Sequence, residues 1–197
     1  MGGEEALRAR ETGKNQFALI DERAAGVAPG ADGMVFLPYL FGERSPIWDP
    51  NAKGVFYGLT FDKTRGHFYR AVMEGAAFAL RHNLECAEQA GAPVGEMYAM
   101  GGAANSALWT QIKADITGKM IHVPASDTAT TLGAAILAGV GVGAYQNFGE
   151  AVSRTIHVKR TYAPNPENAA VYGHSYALYR ELYEKLKDTM AKYEDKR

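Results

Sequence analysis

This chain of 197 residues has a single cysteine, a net charge close to zero and no long apolar run. The one cysteine, Cys86, excludes an internal disulfide, and its place in a helical pattern favours a small buried side chain in a reducing compartment, so we expect a cytoplasmic protein. A net charge of -1 indicates no polyanionic partner such as nucleic acid. The longest nearly apolar run, Thr131 to Tyr145, is about 15 residues, short of the roughly 20 that span a bilayer, so no membrane segment is expected.

Sequence signals for export, phosphate binding and metal binding are missing as well. Met1 to Glu5 form neither the basic nor the apolar region of a signal peptide. The chain has no Gly-x4-Gly-Lys-Ser/Thr loop and no Gly-x-Gly-x-x-Gly motif after a strand, so any ATP would be bound by another route. The histidines show no metal-ligand spacing, and we assign no metal ligand. They are His67, His82, His122, His157 and His174.

The composition is that of a globular protein, with 47% hydrophobic and 22% charged residues. Residues 4–24 have helical spacing, with a possible buried set of Leu7, Phe17, Leu19 and Ile20. The other predicted helices cover 64–90, 106–117, 130–140, 148–153 and a last one with Asn165 as N-cap and Pro166 in its first turn. The predicted strands cover 34–39, 55–61, 97–100, 120–123 and 156–162. Alternation of strand and helix after residue 96 favours an α/β layer with parallel strands.

The most informative local feature is the segment Gly101 to Ser106, here called the glycine turn, between a predicted strand and a predicted helix. Its glycines would let a ligand approach the backbone, and the helix start offers unpaired N–H groups. A purine ring could lie flat on such a backbone while Asn105 or Ser106 binds base or ribose. The alternative is that the glycines only form a tight turn and Ser106 only caps the helix. Local pattern does not separate the two.

Three other features have structural interpretations beside functional ones. Small residues between Thr130 and Gly139 favour close packing of that helix on the sheet, with a share in ligand binding at the same sheet edge left open. The polar loop from Gly42 to Asn51 could contact a sugar through Trp48, or Trp48 could anchor the loop in the core. A stripe of tyrosines in the last helix is expected to be packing surface. Its members are Tyr172, Tyr176, Tyr179 and Tyr183.

Two long motifs resemble the FGGY family of carbohydrate kinases. The first is GVFYGL at 54–59 followed, after seven residues, by HFYRAVME at 67–74, which is similar to the second signature of that family. The second joins the glycine turn to Trp109, Gln111, Asp115 and Gly118, and is similar to the family's adenosine motif. The segments 36–40 and 42–52, FLPYL and GERSPIWDPNA, are similar to xylulokinases and bacterial gluconokinases, and the LGAA helix at 132–135 also fits the family.

The resemblance implies an α/β fold of the actin-like ATPase, ribonuclease H-like type, in which two domains close over a cleft and the C-terminal one binds most of the ATP. It implies that Gly101, Gly102 and Ala103 line the adenine, and that Ser106 and Asn105 hydrogen-bond base or ribose. ATP and Mg2+ would be the cofactors and a small sugar the substrate. The domain organisation expected is an N-terminal helix and loop over 1–30, the nucleotide-binding core over 31–164, and a C-terminal helix with a charged tail over 165–197.

Several elements of the family's catalytic machinery have no counterpart in this sequence. They are the Asp-x-Gly-Thr phosphate loop, the catalytic aspartate and the Gly-Thr-Ser-like loop that opens the C-terminal domain. We therefore assign no catalytic residue and expect no sugar kinase activity from this chain alone. The C-terminal domain is expected to lack its first strands, so the sheet should have an unpaired edge and a homodimer is predicted.

The leading function is the ATP-binding part of a kinase that phosphorylates a ketopentose such as xylulose. Gluconate is the closest alternative substrate. A non-enzymatic binding or regulatory module is the alternative of a different class.

Overall fold

A computed structural model of the chain describes residues 3–125 and 128–192. Within these ranges seven α-helices and five β-strands form. The helices are α1 Gly3–Thr12, α2 Gln16–Ala25, α3 Arg65–Gln89, α4 Ala107–Thr117, α5 Ala129–Gly141, α6 Phe148–Thr155 and α7 Ala169–Ala191. The strands are β1 Val35–Leu37, β2 Val55–Tyr57, β3 Glu96–Tyr98, β4 Met120–Pro124 and β5 Val158–Tyr162.

The strands form two separate sheets. β1 and β2 make an antiparallel pair in which Phe36 lies opposite Phe56. The second sheet has the order β3-β4-β5, with β3 and β4 parallel and β5 antiparallel to β4. Because α4 connects the two parallel strands, the predicted α/β alternation is confirmed in the unit β3-α4-β4. Over the described ranges β3 pairs on one side only, which agrees with the expected unpaired edge of the sheet.

The N-terminal helix departs from its prediction. The expected single helix over 4–24 is two helices, because Gly13 adopts a left-handed φ of 68° and the side chain of Asn15 caps α2 by accepting from the N–H of Phe17. Because of this break, α1 and α2 do not share one continuous apolar face. Leu7 and Phe17 are 58% and 71% exposed, so their predicted burial is wrong. Leu19 is buried as predicted.

Two further burial predictions fail. The small residues of α5 were expected to bring it against the sheet, but α5 packs mainly on α6, and Leu137 is 63% exposed. A Cβ added at Gly133 would meet no atom within 4 Å, so no close approach requires its small size. Cys86 is a free thiol that is only partly buried. The predicted turn at 126–127 and the tail residues 193–197 lie outside the described residues.

The C-terminal helix supplies much of the core. Asn165 accepts from the N–H of Glu167 and Pro166 opens a short 3-10 turn that leads into α7. Three of the four stripe tyrosines are buried, as predicted for packing surface: Tyr172, Tyr176 and Tyr179 are at most 6% exposed, and Tyr183 is partly buried against the core. The hydroxyls of Tyr179 and Tyr39 share a hydrogen bond of 2.6 Å, which links α7 to the chain after β1.

A buried ion pair joins α3, α7 and the loop after α2. Arg70 and Glu74, 5% and 1% exposed, pair at 2.8 Å between Nε and Oε1. The Arg70 guanidinium also donates to the carbonyl of Val27 and to the Tyr172 hydroxyl, and Glu74 accepts from the Tyr172 hydroxyl and the N–H of Gly30. Burial raises the pKa of Glu74, and the Arg70 charge and these hydrogen bonds partly offset that rise.

We expect Glu74→Ala to destabilise the fold by about 3–5 kcal/mol, since it leaves the buried Arg70 charge unpaired. Urea denaturation followed by circular dichroism measures the loss. Glu88→Ala is the matched control, because Glu88 pairs with Lys119 at the surface, where such pairs contribute about 0–1 kcal/mol.

A double variant, Arg70→Met with Glu74→Leu, tests the backbone part of the network. Apolar replacement of a buried pair is often harmless elsewhere. Here it removes the partners of the Val27 carbonyl and the Gly30 N–H as well, so the double variant should stay less stable than wild type. Wild-type stability in this variant would contradict that role.

Candidate functional site

The glycine turn lies at the end of β3. The parallel ladder continues one residue beyond the strand, since the N–H of Ala99 donates to the carbonyl of His122 at 2.9 Å. Gly101 follows two residues later, on the edge where the carboxyl ends of β3 and β4 meet. This is the edge at which open α/β sheets bind their ligands.

The backbone of the turn is open on the side of its glycines. Gly101 has φ of 80° and ψ of -175°, a conformation that favours glycine, and residues Gly102–Asn105 form one 3-10 turn. The N–H of Ala104 donates to the carbonyl of Gly101 at 3.0 Å and closes that turn. A Cβ added at Gly101 or Gly102 would meet nothing within 4 Å. A flat ring therefore has room to lie against this backbone.

The two polar residues of the turn differ in whether their side chains already make hydrogen bonds. Ser106 is the N-cap of α4, with its Oγ accepting from the N–H of Trp109 at 3.0 Å. Burial raises the pKa of Asp21 in α2, and the Ser106 hydroxyl partly offsets that rise. Asn105 is exposed, and its side chain shows no hydrogen bond within the described part of the chain. The structure brings both residues to the turn, with Asn105 the freer of the two.

Two contacts at the turn were not predicted from sequence. One is the influence of the Ser106 hydroxyl on the pKa of Asp21 in α2. The other is the bond from the Arg160 guanidinium to the carbonyl of Ala104, 3.0 Å long, between residues 56 positions apart. Both join segments that are remote in the chain, and no local pattern of residues signals such pairs.

Two cavities lie elsewhere. An apolar one of about 270 Å³ sits near the same sheet edge, and one of about 380 Å³ with a mixed polar and apolar lining lies among α3, α4 and α7. The first is lined by Met100, Pro124, Ala125, Leu132, Thr155, Ile156 and His157. No residue of the glycine turn lines either of these two cavities.

The polar loop from Gly42 to Asn51 is held in place without burying its tryptophan. Glu43 and Asp49 exchange two backbone hydrogen bonds of 2.8 Å, and Asp49 accepts from the Tyr183 hydroxyl at 2.9 Å. Trp48 is 75% exposed, so it does not anchor the loop in the core. Contact between Trp48 and a sugar stays a prediction.

The described residues include neither a metal-binding cluster nor a membrane-spanning helix. Among residues 3–125 and 128–192 no group of three or more His, Cys, Asp or Glu side chains could hold a metal ion. In the same ranges every helix is too short or too polar to cross a membrane.

Comparison with known proteins identifies relatives over nearly the whole chain. The model of the "FGGY family of carbohydrate kinases, C-terminal domain" matches residues 3–142. The chain is 34% identical to a xylulose kinase of Staphylococcus epidermidis over 175 residues, 89% of this chain and 35% of the relative. It is 36% identical to a gluconokinase of Bacillus licheniformis over 181 residues, 91% of this chain and 35% of the relative.

Solved structures show the same likeness. The crystal structure of xylulose kinase from Rhodospirillum rubrum superposes with a TM-score of 0.82 at 33% identity, covering 95% of this chain and 38% of that one. Gluconate kinase from Lactobacillus acidophilus gives 0.80 at 30% identity, covering 98% and 39%. The predicted actin-like ATPase fold is thereby confirmed. The chain spans about a third of the length of these curated relatives.

Removal of the cap should show how much the turn depends on Ser106. Ser106→Ala is expected to lower the free energy of unfolding by about 1 kcal/mol, the usual cost of losing an N-cap. Ser106→Thr keeps the hydroxyl and should recover most of it. Ser153→Ala is the control, because that exposed hydroxyl bonds only within α6. Equal urea midpoints for the Ser106 and Ser153 alanine variants would contradict the capping role.

Proposed function

The chain belongs to the FGGY family of carbohydrate kinases, and we propose that it is the part of such a kinase that binds the adenosine of ATP. One observation carries this proposal. The glycine turn presents open backbone at the ligand-binding edge of a β3-α4-β4 unit, with free space above Gly101 and Gly102.

Each residue of the turn has a role in this proposal. The backbone of Gly101, Gly102 and Ala103 lies against the face of the adenine ring, where a larger side chain would stand in its place. Asn105 and Ser106 hydrogen-bond base or ribose. Asn105 is the better placed of the two, because its amide is exposed and uncommitted among the described residues, whereas Ser106 also caps α4.

In the intact kinase this site would hold ATP while the γ-phosphate passes to a sugar hydroxyl. Such transfer depends on in-line positioning, on a base toward the hydroxyl and on Mg2+ to neutralise charge on the phosphate oxygens. Among the described residues no group of three or more His, Cys, Asp or Glu side chains could hold Mg2+, and we assign no catalytic residue in this chain.

Xylulose is the substrate we favour, since xylulose kinases stand among the most similar curated and solved relatives. Gluconate is supported almost equally, because gluconokinases match at the same level of identity. Comparing turnover of xylulose and gluconate by the full-length kinase decides between them.

A nucleotide-binding or regulatory module without catalysis is the alternative function of a different class. Cytoplasmic location and a homodimer stay predictions, and the unpaired edge of β3 is the surface on which two copies would join.

Nucleotide binding can be tested with one glycine. Gly102→Val should weaken ATP binding by more than about tenfold, since the branched side chain stands where the ring would lie. Gly95→Val is the matched control, because Gly95 also has open space and lacks a left-handed φ. Isothermal titration calorimetry of both variants gives the affinities. If Gly102→Val binds ATP as wild type does, the site assignment is wrong.

Catalysis needs a separate assay. We expect the 197-residue chain, incubated with ATP, Mg2+ and xylulose or gluconate, to form no sugar phosphate, because its sequence lacks the family's catalytic aspartate and phosphate loops. A coupled assay of ADP release measures this. Turnover near the roughly 1–100 s⁻¹ typical of kinases would overturn the expectation.

A further inference from the structure

We infer that Arg160 is a positioning residue for the nucleotide site, which holds the glycine turn in the shape that receives adenosine. The inference rests on the proposed function and adds to it a residue outside the family model's match at 3–142. Its basis is the hydrogen bond of 3.0 Å from Arg160 Nη2 to the carbonyl of Ala104 in the middle of the turn.

The need for such a contact follows from the turn's own composition. Two consecutive glycines have the greatest conformational freedom of any residue pair, and neither packs against a side chain here. If a ligand had to order these glycines on binding, the loss of their conformational entropy would lower its affinity. Contacts from outside the turn can hold this backbone before the ligand arrives. Ser106 supplies one at the helix end, and Arg160 supplies one at Ala104, which is 2% exposed.

The sheet directs Arg160 to this place. In the β4-β5 pair Arg160 lies opposite Val123, a buried residue on the face of the sheet that packs against α4. The register then shifts, with Pro124 opposite Val158, so that Lys159 is the extra residue of a bulge. Cross-strand partners lie on the same face of a sheet, so the regular pairing with Val123 places Arg160 on the face of that buried residue.

The electrostatics of Arg160 also single it out. No carboxylate pairs with Arg160 in the part of the chain that the structure describes, and its Nε is buried without a hydrogen-bond partner. A half-buried arginine usually has an acidic partner, because burying the charge is costly. Here the guanidinium is instead directed to a backbone carbonyl of the turn. The Tyr162 ring, whose centroid lies 6.0 Å from the guanidinium carbon, is its aromatic neighbour.

The test compares affinity with stability. Arg160→Met is expected to weaken binding of adenosine and of ATP alike, by about tenfold, the effect of losing one charged hydrogen bond. Arg160→Lys, which keeps the charge and one donor, should recover part of the loss. Calorimetry with adenosine and ATP measures affinity well below the unfolding midpoint of each variant. Hydrogen exchange of the amides at 101–106 should quicken in Arg160→Met without ligand.

Arg154→Met is the control, because Arg154 is an exposed arginine on α6 that pairs only with Glu150 among the described acids. It should leave both affinities and the exchange of the turn unchanged. If Arg160→Met does not fold, Arg160→Gln is measured in its place with the same expectation.

The outcomes separate this inference from the proposed function. Wild type that binds neither adenosine nor ATP overturns the proposed function, and this inference with it. Wild-type binding with less than a twofold loss in Arg160→Met overturns the positioning role alone. A loss confined to ATP also overturns it, since that pattern would place the Arg160 charge on the phosphates. Equal losses for both ligands with faster exchange in the turn support it.

Discussion

The buried pair of Arg70 and Glu74 is the constraint on which the rest of the structure depends. It is the point where α3, α7 and the loop after α2 meet, and each side chain serves partners from two other segments. Because both charges are nearly inaccessible to water, the fold must provide every partner itself or bear the cost of a buried charge. That requirement fixes how α7 and the loop at 27–30 lie on α3, whereas apolar contacts alone would tolerate several arrangements.

The constraint reaches the candidate site through α3. Trp109 in α4 donates its indole N–H to the carbonyl of Met73, next to Glu74, so the first turn of α4 is fixed to the helix that carries the ion pair. The same first turn is capped by Ser106, the last residue of the glycine turn. A short sequence of contacts therefore runs from Glu74 through Trp109 to the ligand edge. It gives a physical reason why the HFYRAVME motif and the adenosine motif occur together, although they are more than 20 residues apart in the chain.

Local chemistry was predictable from the sequence, and long-range geometry was not. The unit β3-α4-β4 and the tyrosine stripe follow from periodicity, because burial imposes a period that the residues display. The break at Gly13 and the exposure of Leu7 and Phe17 were missed, since a continuous helical spacing hides a left-handed glycine. The polar residues of the turn were predictable only as residue types. That Arg160 would reach Ala104 depends on the pairing of β5 with β4, which no motif marks.

If it is the nucleotide site we propose, the glycine turn must satisfy two opposed requirements, and the structure divides them between its two sides. Toward the open side it has to expose backbone, which requires residues without side chains and hence without packing of their own. Toward the protein the turn needs contacts that fix its conformation, because a ligand that had to order it would lose affinity to the entropy cost. Hydrogen bonds to Ala104 and Ser106 come from β5 and α4, so the fixed atoms belong to the non-glycine half of the turn. A substitution at Gly102 would therefore act on the ligand, and one at Arg160 on the readiness of the turn to receive it.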